Sequence, residues 1–256
     1  MRDAPRLRGS PTARVASLFF GLVLLGVAIV CLLQSRLGLA PWDVFHLGVA
    51  RHSPLAIGAA SIVVALAVLF LAWALGQPPG FGTVANAIVI GLVVDLLLTL
   101  PWVTSLSERS LAVRAGLLVL GVALFGVGSA FYIGAGFGAG PRDSLMLVLS
   151  RRTGVRIAIV RASIELAVIA VGWTLGGMVG AGTLAVALLL GPSVEGSFWL
   201  FVRVGLAEHR TPSLEATTVA PEPASAEGAA PGAVIIGAQP PPVATRSMGV
   251  RPRRRR

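Results

Sequence analysis

The chain has no lysine and little charge of either sign. All 21 basic residues are arginines, and charged residues make up 12% of the 256 residues, whereas an ordinary soluble domain carries about 25%. The composition therefore excludes an ordinary soluble domain and indicates a membrane protein, in agreement with a mean hydropathy of +0.84. The net charge of +10 includes an arginine cluster at the C-terminal end, so it does not indicate nucleic-acid binding.

Cysteine and histidine are equally scarce. Cys31 is the single cysteine, which excludes a disulfide within the chain and a thiolate metal site. The three histidines have no metal-ligand spacing, and the sequence contains no GxSxG, HExxH or phosphate-loop motif. We therefore predict no bound metal, no cofactor and no enzymatic activity, and a membrane-embedded enzyme is the least favoured class of function.

The chain does contain an internal repeat. Residues 14–95 and 114–195 align without a gap at an offset of 100, with roughly three in ten paired positions identical. The first apolar stretch, 15–33, follows several arginines as a signal peptide would. Its length exceeds the usual apolar region of about 7–15 residues, and its counterpart lies in mid-chain. We therefore predict that 15–33 is a transmembrane helix.

Each repeat supplies three apolar runs near the length of about 20 residues that a membrane-spanning helix needs. The predicted fold is an all-α polytopic transmembrane bundle of six spans: 15–34, 57–76, 84–101, 113–133, 157–176 and 183–202. The predicted organisation is an N-terminal segment 1–14, a first transmembrane repeat 15–101, a second transmembrane repeat 113–205 and a disordered tail 211–256.

Arginine placement predicts the orientation of the spans. Arginines are more frequent in the N-terminal segment, in residues 134–156 and in the tail than in residues 35–56 and 102–112, and arginine-rich loops stay in the cytoplasm. We expect a multi-pass protein of the bacterial plasma membrane with both termini cytoplasmic. Three spans per repeat make the repeats inverted, as in many transporters. If segments 38–52 and 138–152 crossed fully, the repeats would be parallel.

A short motif follows the first span of each repeat. It consists of Gly38, Pro41, Trp42 and Asp43 in the first copy, and of Gly138, Pro141, Arg142 and Asp143 in the second. Proline suits the first position of a helix, and an aspartate in the first turn faces the positive end of the helix dipole. We predict a half-length helix in each repeat. The two half-helices either re-enter the membrane from opposite faces and meet near its middle, or lie at its two surfaces.

A second motif precedes the last span of each repeat. It consists of Gly80, Gly82 and Thr83 in the first copy, and of Gly180, Gly182 and Thr183 in the second. Glycines at a helix end followed by threonine are typical of a tight turn and a helix N-cap. We predict a structural role for both.

Charged side chains inside the predicted spans need a further reason, because a charge at the bilayer centre costs at least about 2.5–3.5 kcal/mol. Arg161 and Glu165 lie one helical turn apart and can pair. We predict that the charged and polar residues of the spans and half-helices line a solute path: Asp43, Asn86, Asp95, Asp143, Arg161, Glu165 and Glu195. The alternative is a structural ion-pair network. A bound solute is expected where the copies differ, at Trp42/Arg142, Ser61/Arg161 and Ala65/Glu165.

The motif strings resemble a known family. The segments GLAPWDVFHLGVARH (38–52) and WALGQPPGFGTVANAIVIGLVVD (73–95) are similar to those of the bacterial YczE/YyaS/YitT-type integral membrane proteins, most of all the YczE branch. The resemblance covers residues 14–205 and is looser in the second repeat, where Met178 and Val179 replace Pro78 and Pro79. It implies a multi-spanning inner-membrane protein and supplies no mechanism.

The function that the sequence favours is a transporter or permease for a small solute, with an anion among the candidates. The alternative is a membrane scaffold or accessory protein whose partners are other membrane proteins. Beyond the bilayer itself, the expected contact is between anionic lipid and the arginine cluster that ends the tail; the alternative is a solvated tail. The sequence does not indicate an oligomeric state.

Overall fold

The computed structural model describes residues 5–138 and 140–208, and the predicted tail 211–256 lies outside them. The described chain is almost entirely helical, which confirms the predicted all-α membrane bundle. Its first repeat contains α1 (Pro11–Ser35), α2 (Pro41–Arg51), α3 (Ile57–Ala74) and α4 (Phe81–Leu98), followed by a short α5 (Pro101–Thr104) and a 3-10 turn (Ser105–Glu108). Its second repeat contains α6 (Leu111–Ala135), α7 (Pro141–Thr153), α8 (Ile157–Thr174) and α9 (Ala181–Arg203).

The six long helices fall on the six predicted spans. Within the described residues, α1, α3, α4, α6 and α9 are long and apolar enough to cross a bilayer. The remaining predicted span corresponds to α8, which carries Arg161 and Glu165. Large apolar side chains such as Phe70, Leu96 and Leu188 are exposed on the outer surface, as expected where lipid surrounds a bundle.

The long helices α1 and α6 pack against each other in antiparallel directions. A Cβ atom added at Gly21 would lie 2.7 Å from the Gly128 carbonyl oxygen, and one added at Gly121 would lie 2.9 Å from Leu32. The start of α1 therefore lies beside the end of α6 and the reverse. Glycine is required at Gly21 because a side chain there would separate the two backbones, whereas at Gly121 the nearest atoms belong to the Leu32 side chain.

Arginines at matched positions form hydrogen bonds at the two ends of this helix pair. The Arg14 guanidinium donates to the Ala135 carbonyl oxygen at 2.6 and 3.0 Å, and Arg114 donates to the Ser35 carbonyl oxygen at 2.8 Å. These carbonyls end helices and have no partner in their own helix. The contacts repeat at the offset of 100 and are those expected of an inverted pair, whose orientation in a bilayer stays a prediction.

A two-stranded antiparallel ribbon joins the two ends of the described chain. Strand β1 (Arg6–Leu7) pairs with β2 (Ala207–Glu208), and Arg8 forms an ion pair with Glu208. Both ends therefore lie on the same face of the bundle, in agreement with an even number of spans. Which face is cytoplasmic stays a prediction from the arginine distribution.

The half-helices α2 and α7 are too short to cross a membrane. They have 11 and 13 residues and at 1.5 Å per residue extend about 16 and 20 Å, against about 30 Å of hydrocarbon. The half-helix α2 packs mainly on α8 of the second repeat, and α7 packs mainly on α3 of the first repeat. The alternative in which both segments cross fully does not fit these lengths.

The glycine turns before the half-helices dock onto the opposite repeat. Gly182 N donates to the Leu37 carbonyl oxygen at 2.8 Å, and Gly82 N donates to the Phe137 carbonyl oxygen at 2.9 Å. Gly38 has a φ of +143° and contacts Thr183, so a side chain there would be both strained and obstructed. These contacts fit the predicted structural role of the glycines. They differ from the predicted local turn because they connect one repeat to the other.

The threonine of the second motif has a different position from the predicted one. The N-cap residues of α4 and α9 are Gly80 and Gly180, and the threonines lie three residues later. Gly80 N donates to Thr83 Oγ1 and Gly180 N to Thr183 Oγ1, both at 3.2 Å. Thr183 Oγ1 also accepts from Leu39 N at 3.2 Å, so this hydroxyl joins two repeats as well as closing a helix end.

The helix pair α3–α4 is tightly packed, whereas the matched pair α8–α9 is not. A Cβ added at Gly91 would lie 2.5 Å from the Gly58 carbonyl oxygen, so these helices touch only because neither position carries a side chain. A Cβ added at Gly191 would meet nothing within 4 Å in the described chain, and α8 and α9 barely touch. The second copy has Ala158 in place of Gly58 and Pro192 in place of Leu92, so it lacks the glycine pair that brings α3 and α4 together.

Candidate functional site

A cavity of about 460 Å³ lies between the two repeats. This volume suits a small-molecule site. Helices of both repeats supply its wall, including Leu25 and Phe125 near the midpoints of α1 and α6. The lining contains six of the seven residues predicted for a solute path: Asp43, Asn86, Asp143, Arg161, Glu165 and Glu195. It also contains both members of the three residue pairs at which the copies differ: Trp42/Arg142, Ser61/Arg161 and Ala65/Glu165.

The N-termini of the two half-helices meet in this cavity. Pro41 and Pro141 occupy the first positions of α2 and α7, and Asp43 and Asp143 lie in the first turns. The Arg142 guanidinium approaches Asp43 Oδ1 to 3.8 Å. The meeting of both N-termini beside the middle of the bundle favours the re-entrant interpretation over half-helices at the two surfaces.

A buried polar cluster surrounds the start of α2. Asp43 is 1% exposed, and its Oδ1 lies 3.5 Å from His46 Nδ1. The Arg142 guanidinium carbon lies 5.0 Å from the centre of the Trp42 ring, a cation–π distance. These contacts hold charged groups together without a direct hydrogen bond between them.

Several atoms of this cluster have no hydrogen-bond partner among the described residues. They are both carboxylate oxygens of Asp43, Nε1 of Trp42 and Nε2 of His46. A buried polar group left without a partner costs about 1–3 kcal/mol, and native structures satisfy most such groups. The cluster therefore offers two acceptors and an indole N–H donor to whatever polar molecule enters the cavity.

Asp143, Tyr132 and Asn86 converge at the start of α7. A Cβ added at Gly140 would lie 3.5 Å from Asp143 Oδ2 and from Tyr132 Oη, and 3.9 Å from Asn86 Oδ1. The Tyr132 hydroxyl donates to the Gly138 carbonyl oxygen at 3.3 Å. Asp143 is exposed in the described chain and lines the cavity.

Arg161 and Glu165 form the predicted ion pair on α8. Arg161 Nε lies 2.9 Å from Glu165 Oε1, and both side chains face the cavity. The Arg161 side chain is 60% exposed, because α9 does not cover it. The ion pair itself lies within α8, and Arg142 and Asp143 of α7 line the same cavity.

Asp95 and Glu195 occupy matched positions but have different surroundings. Asp95 lies outside the cavity lining, where its carboxylate accepts from Gly58 N at 2.6 Å and from Ala59 N at 2.8 Å. It stabilises the start of α3 by accepting free backbone N–H groups, which departs from its predicted place on the path. Glu195 lines the cavity and makes no hydrogen bond or ion pair with the residues that the structure describes.

Two further lining residues belong to the site without having been assigned to it from the sequence: His46 and Tyr132. Tyr132 had a signal, as the single tyrosine of the chain. His46 gave no signal beyond its place in a half-helix.

Comparisons with known proteins confirm the resemblance to the YczE and YyaS proteins. A family model described as "Family of unknown function (DUF6198)" matches residues 12–197. The chain is 35% identical to "Uncharacterized membrane protein YczE" of Bacillus subtilis over 175 residues, which are 68% of this chain and 80% of that protein. It is also 35% identical to an "Uncharacterized protein" of Haemophilus influenzae over 184 residues, 71% of this chain and 81% of that protein.

A third relative is more distant. "Uncharacterized protein YyaS" of Bacillus subtilis is 28% identical over 137 residues, 52% of this chain and 68% of that protein. No solved structure matches the chain.

Proposed function

The chain belongs to the DUF6198 family, and we propose that it is a permease for a small solute that binds in the cavity between its two repeats. The observation that carries this proposal is the meeting of two half-helix N-termini inside one charged cavity. Broken or short helices that end at mid-membrane form the solute sites of many transporters built from inverted repeats. A scaffold has no comparable use for charged groups that are costly to bury.

The unequal packing of the two repeats supports the same function. In the first repeat α3 closes on α4, and in the second α8 stands away from α9. A transporter exposes its solute site to one side of the membrane at a time. Two repeats with similar sequences but different packing can open the site on one side and close it on the other. The arrangement leaves α8 and α9 apart beside the cavity and holds α3 and α4 together.

We further propose a location in the bacterial plasma membrane with both termini cytoplasmic. The support is the excess of arginines in the N-terminal segment, in residues 134–156 and in the tail. The arginine cluster that ends the tail would then contact the anionic inner leaflet, where each charge contributes about 1 kcal/mol.

Flux measurements on reconstituted protein test the permease. Purified full-length protein in liposomes should move at least one member of a broad metabolite panel, and Glu165→Gln should reduce that flux by at least about tenfold, which corresponds to about 1.4 kcal/mol. Arg109→Gln, in the loop outside the cavity, is the matched control and should keep the flux. Absence of flux for every solute, together with an intact cellular phenotype in the Glu165→Gln strain, would reject the proposal.

Removing residues 211–256 separates the permease from the scaffold. A permease whose solute site lies between the repeats should keep its flux after this truncation. A scaffold that acts through its tail should lose its cellular activity while liposome flux is absent in both forms.

A further inference from the structure

The cavity has more carboxylates than guanidinium groups. Four acidic side chains line it, Asp43, Asp143, Glu165 and Glu195, against two basic ones, Arg142 and Arg161. Arg161 is paired with Glu165 at 2.9 Å, and Arg142 lies 3.8 Å from Asp43. Asp143 and Glu195 are left without a cation within ion-pair distance in the described chain.

The half-helix dipoles do not remove this excess. A helix N-terminus carries a charge of about +0.5, and the N-termini of α2 and α7 both face this cavity, with Asp43 and Asp143 in their first turns. Together they offset about one of the two surplus carboxylates and leave a net charge of about −1. An anion in this cavity would face a net negative wall, which argues against the anionic solute considered from the sequence.

The unpartnered buried atoms point to a ligand with N–H donors. Both oxygens of Asp43 are buried and have no hydrogen-bond partner among the described residues. Arg142 and His46 stand 3.8 and 3.5 Å from Oδ1, longer than the usual hydrogen-bond distance of about 2.7–3.2 Å. A protonated amine is a compact donor with up to three N–H groups, and hydrogen bonds between charged groups are shorter and stronger than neutral ones.

The gap between α8 and α9 offers the way in. Glu195 stands on one side of it and the Arg161–Glu165 pair on the other, and a Cβ at Gly191 would meet nothing within 4 Å in the described residues. Glu195 is exposed and makes no hydrogen bond or ion pair with the described residues, so its carboxylate is available to a cation that enters here.

We propose that the solute is a small organic cation with a protonated amine, which enters between α8 and α9 and is held by Asp143, Glu195 and the buried Asp43. This inference rests on the proposed permease for its biological meaning, but not for its binding chemistry. The apolar part of the lining includes Phe125 and the Trp42 indole. It suits an amine that also has an apolar hydrocarbon portion.

Three probes of matched size and different charge test the inference: phenethylammonium, 2-phenylethanol and phenylacetate. Calorimetric titration of the purified full-length protein in detergent should give tightest binding for phenethylammonium, by at least about tenfold over the other two, because a hydrogen bond to a charged group contributes about 1.5–3 kcal/mol. A preference for phenylacetate, or binding of none of the three, would overturn the inference.

Variants then assign the preference to the cavity. Glu195→Gln and Asp143→Asn should each weaken the affinity for phenethylammonium by about threefold to tenfold. Neither substitution should change the affinity for 2-phenylethanol. Glu108→Gln, an exposed residue outside the cavity, is the control and should change neither. If Glu195→Gln and Asp143→Asn both leave the preference for the cation intact, the proposed site is wrong.

Failure of this inference is distinguishable from failure of the permease. Cation binding in detergent without flux in liposomes would reject the permease and keep the site. Flux that depends on Glu165 together with preferential binding of phenylacetate would keep the permease and reject the cation.

Discussion

The helix pair α3–α4 of the first repeat and the pair α8–α9 of the second derive from the same sequence pattern and differ in packing. Gly58 and Gly91 bring the first pair into contact, and Asp95 accepts two backbone N–H groups of α3. In the second pair Ala158 replaces Gly58, and Glu195 faces the cavity. We call the α3–α4 contact the closed seam and the gap between α8 and α9 the open seam. One added methyl group, at Ala158, and one longer side chain, at Glu195, accompany the open seam.

This comparison shows how a duplicated unit can acquire a site. In the closed seam, the carboxylate is used entirely to stabilise a helix end. In the open seam, the matched carboxylate is left free and a charged pair is added on α8, at positions that carry Ser61 and Ala65 in the first repeat. The first repeat therefore provides a packed wall and the second provides most of the charges.

The largest expected effect comes from filling the glycine contact of the closed seam. A Cβ at Gly91 would lie 2.5 Å from both the Gly58 carbonyl oxygen and Ile62 Cγ1, so Gly91→Ala should destabilise the protein by about 1–3 kcal/mol through overpacking. Gly191→Ala meets no neighbouring helix, but Gly191 precedes Pro192, which disfavours the helical conformation of a residue with a Cβ. This substitution should therefore cost less than Gly91→Ala without stabilising the protein. Thermal unfolding in detergent, followed by circular dichroism, compares the two; equal destabilisation would show that the seams are packed alike.

A smaller effect is expected from the matched carboxylates. Asp95→Asn replaces a charged acceptor of two backbone N–H groups at the start of α3 and should cost about 0.5–2 kcal/mol. Glu195→Gln removes no hydrogen bond and should leave the unfolding temperature unchanged. The same unfolding measurement applies, and a larger loss for Glu195→Gln than for Asp95→Asn would contradict the roles assigned here.

Much of the fold could be predicted from the repeat. The six spans, the half-helices after Gly38 and Gly138 and the structural role of the second glycine motif follow from apolar runs and from helix-start residues, which are local signals. The crossed docking of Leu37 on Gly182 and of Phe137 on Gly82 could not be predicted, because those partners lie far apart in sequence.

The candidate site was predictable where charge stood out against an apolar span. Arg161, Glu165 and Glu195 are conspicuous for that reason, whereas Asp43 and Asp143 are conspicuous because they recur in the first turns of the half-helices. The cavity contains all of them. From the sequence, Asp95 is an acidic residue in an apolar span like Glu195. It nevertheless lies outside the cavity, because Gly58, 37 positions away, has no side chain and lets the α3 backbone reach the carboxylate.

The distance between matched positions across each seam tests the central claim most directly. Spin labels at Val63 and Ile88 report on α3–α4, and labels at Ser163 and Leu188 report on α8–α9; all four side chains are exposed, and Cys31→Ser removes the single native cysteine. Pulsed electron resonance on reconstituted protein should give a short, narrow distance for the first pair and a longer, broader one for the second. Equal distances for the two pairs would contradict an open seam in the second repeat and a closed one in the first.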